Sequence, residues 1–234
     1  MQTRHQAYER HVPIVAATLK TPEPIDHGVG VVVLMAESKL DGSILGTMRI
    51  HTNESGALPT ERSVQLPPQF THKRLAEATR LGVVSGTVGT VVRAALFKAF
   101  FRYCKRIDID NMVIAGRAPL DRMYERLLFE EVFPGQGFVN LPHTGNLPHR
   151  IMFLNLHTAE ARWAKSKHRW FDYYIRTAHP DLEFDLVKMP VITEAEVIAL
   201  GQVSSDNTNV DMDVLLSASA HSGLAGRGAS RAIH

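Results

Sequence analysis

Glu77 and Arg80 are the residues of this 234-residue chain whose types and spacing most invite a chemical reading. They stand three apart in Leu75–Val84, a run with strand character. A charge inside a central strand is costly unless it is paired. One reading is a structural ion pair or an exposed sheet face. The other is a base and a carboxylate anchor in a cleft. An ideal strand sends positions three apart to opposite faces, so the second reading requires a β-bulge between them.

The next segment, Ser85–Thr90, is Ser-Gly-Thr-Val-Gly-Thr. It reads as a small-residue turn between the strand and a helix over Val91–Arg106. Such a turn offers free backbone N–H groups and the positive end of a helix dipole, which suits a phosphate. It has no Gly-Lys-Ser/Thr, so it is not a P-loop, and no second βαβ unit supports a dinucleotide site. A plain tight turn is the alternative.

Tyr124 falls on the apolar side of a helix opened by Pro119. It is either a core residue or a phenol aimed at the sheet to donate a proton. His143, His149 and His157 are six and eight residues apart, which matches no compact zinc motif, so they read as loop residues. No Gly-x-Ser-x-Gly elbow supports a hydrolase triad. Cys104 is the only cysteine and sits in an apolar helical pattern, where it reads as core filler rather than nucleophile.

These residues need a frame. Arg4–His11 reads as a short helix ended by Val12-Pro13-Ile14, and Thr21–Pro24 as a linker. Gly28–Glu37 and Ile44–His51 are β-rich and flank Asp41-Gly42, a strong hairpin signal. A Pro-punctuated loop leads to Leu75. In Val91–Arg106, Val92, Ala95, Leu96, Ala99, Phe100 and Tyr103 recur at helical steps and mark a buried stripe. Lys98, Arg102 and Lys105 fall on another face. Asn111–Ala115, Gly137–Leu141 and Arg150–Leu156 read as strands. A last helix runs from His157 or Ala159 to Thr177. Val191–Val203 reads as a helix and Asp206–His234 as disordered, being rich in Ser, Ala, Gly and Asn. The succession predicts an α/β layer structure.

Composition narrows the function. The charge of +2 lacks the basic excess of a dedicated nucleic-acid binder. There is no apolar h-region after Met1 and no apolar run of spanning length, which, with a single cysteine, fits a cytoplasmic protein.

Glu77-Ala78-Thr79-Arg80-Leu81-Gly82-Val83-Val84 resembles the Glu-x-x-Arg strand of the N-acyl amino acid synthases. These are relatives of the acyl-homoserine-lactone autoinducer synthases within the GNAT acyltransferase superfamily. Further similarities follow in order: Arg4-x-x-x-Tyr8 in a first helix, and Asp41-Gly42 followed by Gly46-Thr47-Met48-Arg49-Ile50 as a hairpin. Ala118-Pro119 with Tyr124 to Phe129 completes the set. The resemblance covers roughly residues 4 to 157. It departs from the pattern in a shortened first helix and in lacking the strict Gln/Arg-x-x-Gly-x-Gly/Ala loop.

The resemblance implies a GNAT-like α/β (α+β) core over 1–158, with a mostly antiparallel mixed sheet flanked by helices. A helical extension (159–190) and a flexible tail (191–234) would follow. It implies transfer of a fatty acyl group from a thioester to the amine of an amino acid or similar acceptor, with no permanently bound cofactor and no metal. Glu77, Arg80 and Tyr124 become the catalytic candidates. Arg49, Asp41 and Arg4 become acceptor-site candidates, with Arg49 or Arg80 holding a carboxylate. Val83, Val84, Ser85, Gly86, Gly89 and Thr90 become the donor cradle, the amides of Val83 and Val84 bonding the pantetheine arm. Without the strict loop, a phosphopantetheine on acyl carrier protein is favoured over acyl-CoA. The rival readings are an acetyl-CoA-dependent N-acetyltransferase and a non-catalytic GNAT-like binding module. The basic residues Arg162, Lys165, Lys167, His168 and Arg169 would meet an acidic carrier protein or a membrane surface, or simply solvent.

Overall fold

The Asp41-Gly42 hairpin forms as its sequence demands. In a computed structural model describing residues 2–9, 13–21, 23–182 and 230–233, strands β1 (Val31–Glu37) and β2 (Ile44–Thr52) pair antiparallel. Gly42 takes the left-handed conformation (φ 70°) that the turn requires. Strand β3 (Leu75–Val83) pairs antiparallel with β2. Helix α3 (Gly86–Arg106) then crosses over to β4 (Asn111–Gly116), parallel to β3. After α4 (Leu120–Arg126) come β5 (Glu130–Glu131), β6 (Val139–Leu141) and β7 (Leu147–Asn155). The order across the sheet is β5-β7-β4-β3-β2-β1-β8, with β6 on β7. The sheet is mixed and mostly antiparallel, as expected.

Helices cover both faces. The amino end forms α1 (Gln2–Glu9) and α2 (Pro13–Thr18). Pro13 therefore opens a second helix rather than only ending the first, since a missing N–H is harmless in a first helical turn. Gly46 lets α3 approach: a Cβ there would lie 2.6 Å from Val92 Cγ1. Gly82, paired one step along on the opposite pleat, faces Ala7 and Arg4 of α1. Thus α1 and α3 sit on opposite faces. On the α1 face, Leu75, Val113 and Ile151 join Leu58, Phe70 and Val132 in a core cluster below Glu77.

Three expectations change. The helix predicted from Val91 begins at Gly86, so 86–90 is its first turn rather than a preceding loop. Lys98 is not on an exposed face but fully buried, because the chain after α5 (Ala159–Lys165) folds over it. Its Nζ donates to the carbonyls of Tyr173 and Thr177. The last helix is broken: Lys167 turns left-handed (φ 48°), and the chain resumes as one π-helical turn over Asp172–Arg176. Trp163 is buried here against Phe101, with its Nε1 donating to Leu127 O at 2.9 Å.

The predicted tail is partly overturned too. Ser230–Ile233 forms β8, parallel to β1 along Val33–Ala36. The predicted helix Val191–Val203, and the tail before Ser230, lie outside the described residues.

Candidate active site

The bulge that Glu77 and Arg80 require is present. Thr47 pairs with Gly82 but Arg49 with Thr79, so β3 carries an extra residue, and Arg80 takes φ 53°. This puts both side chains on one cavity. The cavity also sits where the sheet opens. Pairing of β3 with β4 stops at Ala78 and Ile114, although both strands continue.

The cavity, about 80 Å³, is lined by Tyr8, Glu77, Arg80, Ala115, Arg117 and His143 among others. A second cavity of about 170 Å³ adjoins it, lined by Glu23, Arg49, His51 and Arg62. Thr79, Arg80 and His143 line both.

Glu77 is fully buried. Thr60 donates its amide to Oε2 at 2.9 Å and its hydroxyl to Oε1 at 2.7 Å. Burial pushes the carboxyl pKa up, the Thr60 bonds pull it down, and the outcome is about 7. His143 Nε2 lies 3.9 Å from Glu77 Oε1, and its Nδ1 shares a 2.7 Å hydrogen bond with Ser63 Oγ. Burial, with help from neighbouring His149 and arginines, lowers the His143 pKa to about 4, so the ring is neutral near pH 7. His51 behaves alike, at about 4, for burial and for the charge of Arg49. Its Nε2 meets Thr79 Oγ1 at 3.0 Å.

The arginines are paired within the protein. Arg80 Nε and Nη2 reach Glu23 at 3.0 and 2.9 Å. Arg49 donates from Nε to Asp26 at 2.7 Å and from Nη2 to Glu23. Arg4, 2% exposed, donates to both Asp26 oxygens. Burial opposes ionisation of both carboxyls, but these guanidiniums outweigh it and hold both pKa values below the usual range. Arg4 and Arg49 thus tie α1 and β2 together through the segment 23–27.

The other candidates divide. Tyr124 is buried, edge-on to Phe129, and lines neither cavity. Burial pushes its phenol pKa up; nearby Tyr8 adds to the rise and Arg93 opposes it. Asp41 is exposed at the hairpin tip, where it accepts from Ser43 N and Oγ, away from both cavities. The donor amides are not as expected. Val84 N donates to Leu45 O at 2.9 Å, and Val83 pairs with Gly46, so the sheet uses this segment. The open N–H groups belong instead to Gly86–Val88, since Ser85 makes no side-chain cap. Gly89 is required there: a Cβ would lie 1.8 Å from Val84 O. Thr90 Oγ1 donates back to Gly86 O.

Cys104 is buried filler, and burial raises its thiol pKa well above the ordinary value. His157 stands apart on Asp110. Among the described residues, no cluster of three His, Cys, Asp or Glu could hold a metal ion, and no helix is long and apolar enough to cross a membrane. The basic residues after 159 do not share one free face: Arg162 pairs with Glu130, and His168 meets Arg126 O.

Thr60, Glu23 and Asp26 escaped the sequence reading, and His143 reads there only as a loop residue. Glu23 and Asp26 had a signal. Buried arginines demand carboxylates, and a Pro-flanked acidic pair at one-turn spacing follows the first helices. Thr60 and His143 had none beyond position in Pro-rich loops.

Residues 1–140 match the family described as N-acyl amino acid synthase FeeM. No curated protein matches by sequence. Among solved structures, FeeM, an N-acyl amino acid synthase from uncultured soil microbes, is 16% identical with TM-score 0.50, covering 68% of this chain and 90% of its own. An acyl-CoA N-acyltransferase from Pseudomonas aeruginosa is 17% identical with TM-score 0.42, covering 65% and 87%. The CoA-dependent acyl-homoserine lactone synthase BjaI is 14% identical with TM-score 0.46, covering 71% and 79%. The sheet thus has the fold of FeeM, and with more than half its length matched, the chain belongs to the FeeM family of N-acyl amino acid synthases and is an N-acyltransferase that moves an acyl group to an amine.

Proposed function

We propose that the acyl group arrives as a thioester on the phosphopantetheine of an acyl carrier protein and leaves on the amine of an amino acid, with Glu77 as the base. The observation that carries this is the buried Glu77 carboxyl, poised near neutrality at the floor of a cavity opening where β3 and β4 part. A base works best when its pKa lies near the working pH. The amine nitrogen attacks the thioester carbon, and Glu77 takes the proton the nitrogen sheds, with neutral His143 beside it. As the tetrahedral intermediate collapses, the C–S bond breaks and Tyr124 protonates the thiolate. Tyr124 packs against Gly116 at the end of β4, beyond the point where β3 and β4 part, which supports that role.

The pantetheine arm enters between the parted strands, and its phosphate meets the amides of Gly86–Val88. Residues 81–92 contain no lysine or arginine, so nothing there supports the further phosphates of a nucleotide. That supports a carrier-bound donor.

The test is Glu77→Gln and Tyr124→Phe, assayed with long-chain acyl carrier protein, the matching acyl-CoA and a panel of amino acids. Product by mass spectrometry should fall about 100-fold or more in Glu77→Gln. Wild-type turnover in both variants would remove these roles, and faster transfer from acyl-CoA would remove the carrier protein.

A further inference from the structure

An amino-acid acceptor brings a carboxylate that needs a cation, and Arg49 and Arg80 are poor providers. Both already hold Glu23, and Arg49 also holds Asp26. An incoming carboxylate would have to displace a partner from a mostly buried pair.

Arg117 is differently placed. It follows β4, is half-buried, and lines the same cavity as Glu77. Among the described residues its guanidinium has no hydrogen-bond or ion-pair partner. Only its backbone is engaged, the carbonyl accepting from Asp121 N at 3.0 Å. The other titratable groups on the wall do not compensate it. Glu77 is bonded to Thr60 at both oxygens, Arg80 is neutralised by Glu23, and His143 and His149 are held neutral mainly by burial. The cavity therefore carries one unanswered positive charge.

The spacing suits a small zwitterion. Glu77 is in register with Val113, and Arg117 stands four residues further along the same pleat face. At ~3.3 Å per residue Arg117 lies about 13 Å along from Val113, and with ~4.8 Å between strands its Cα is about 14 Å from that of Glu77. Glu77 is turned to Thr60 rather than to Arg117, so the cavity between the two groups is left to a ligand. Val15, Ala78 and Leu147 supply apolar wall beside it.

We propose that Arg117 is the anchor for the acceptor's α-carboxylate, gripping it through paired N–H donors while the amine lies at Glu77. This rests on the reading of Glu77 as the base and adds the residue that would make an amino acid, rather than any amine, the preferred acceptor. Arg49, Arg80, Glu23 and Asp26 then serve as framework.

The experiment compares the best amino acid of the acceptor panel with its decarboxylated amine, in wild type, Arg117→Met, Arg117→Lys and Arg62→Met. Melting curves first establish that each variant is folded. Arg117→Met should raise KM for the amino acid by at least about tenfold, the worth of a lost charge-assisted pair, with kcat little changed. Its KM for the amine should stay within about twofold, and Arg117→Lys should fall between because it lacks the planar fork. Arg62→Met, in the neighbouring cavity, should leave the preference intact. Equal loss for acid and amine in Arg117→Met, or no loss for either, overturns the anchor, and so does loss of the preference in Arg62→Met. If wild type acylates the amine but not the amino acid, the anchor fails while the base survives. If it acylates neither, both readings fall together.

Discussion

Thr60 grips both oxygens of the Glu77 carboxyl, its amide at 2.9 Å on one and its hydroxyl at 2.7 Å on the other. Both bonds favour the carboxylate, burial disfavours it, and the contest sets a pKa of about 7. If turnover needs the carboxylate, kcat/KM rises with pH through about 7. Thr60→Val removes the hydroxyl bond, so the rising limb should move to higher pH, whereas Thr60→Ser should leave it in place. A limb unmoved in Thr60→Val would separate the rate from Glu77 ionisation.

The same residue should leave a mark on stability. The folded pKa of Glu77, about 7, lies above its ordinary value of 4.5, so the native state holds this proton more tightly than the unfolded chain. The resulting cost is absent below pH 4.5, grows as pH rises to 7, and is complete above it. Two to three pKa units correspond to about 3 kcal/mol at most. Glu77→Gln should therefore gain on wild type between pH 4 and pH 8 by up to ~3 kcal/mol in urea titrations. The hydrogen bond that Gln loses is common to both conditions and cancels. A difference independent of pH would mean that folding does not raise the Glu77 pKa.

The strands, the hairpin and the α3 crossover were legible because their signals are local: alternation, Asp-Gly, and a 3.6-residue stripe. The Glu77–Arg80 bulge was legible as a condition, since only a bulge lets residues three apart in a strand share a cavity. What was not legible is whatever distant segments bring. Lys98 looks like a surface residue within its helix, and only the return of 170–177 buries it. Arg49 and Arg80 look like free cations, and only the segment 23–27 claims them. His143 lies 66 residues from Glu77, and no pattern along the chain joins them.

The claim of that acidic segment can be weighed. Asp26 takes hydrogen bonds from Arg4 and from Arg49, whose side chains are 2% and 4% exposed. Removing a partner from such a set leaves buried charge uncompensated, at a cost of about 3 kcal/mol. Asp26→Ala should lose that much in urea unfolding. Asp41→Ala, whose carboxylate closes only its own exposed turn, should change stability by no more than about 0.5 kcal/mol. Similar losses for the two variants would mean that the arginine cluster contributes nothing beyond surface pairing.

Lys98 gives a prediction about the chain after residue 158. Its stem is buried in α3 and its ammonium lies 4.4 Å from the centre of the Tyr173 ring while bonding the Tyr173 and Thr177 carbonyls. Lys98→Met keeps most of the stem's packing but leaves those carbonyls without that donor, which costs about 1–3 kcal/mol. The loss should fall on the π-helical turn rather than on the sheet, because Trp163 still anchors α5 through Leu127 O. Trypsin should then cut faster at Arg169 and Arg176 in Lys98→Met, while cleavage at Arg74, beside β3, keeps its wild-type rate. Acceleration at all three sites would show that Lys98 supports the whole fold. No acceleration at Arg169 and Arg176 would show that the turn is held by its aromatic contacts with Trp163 and Phe97 alone.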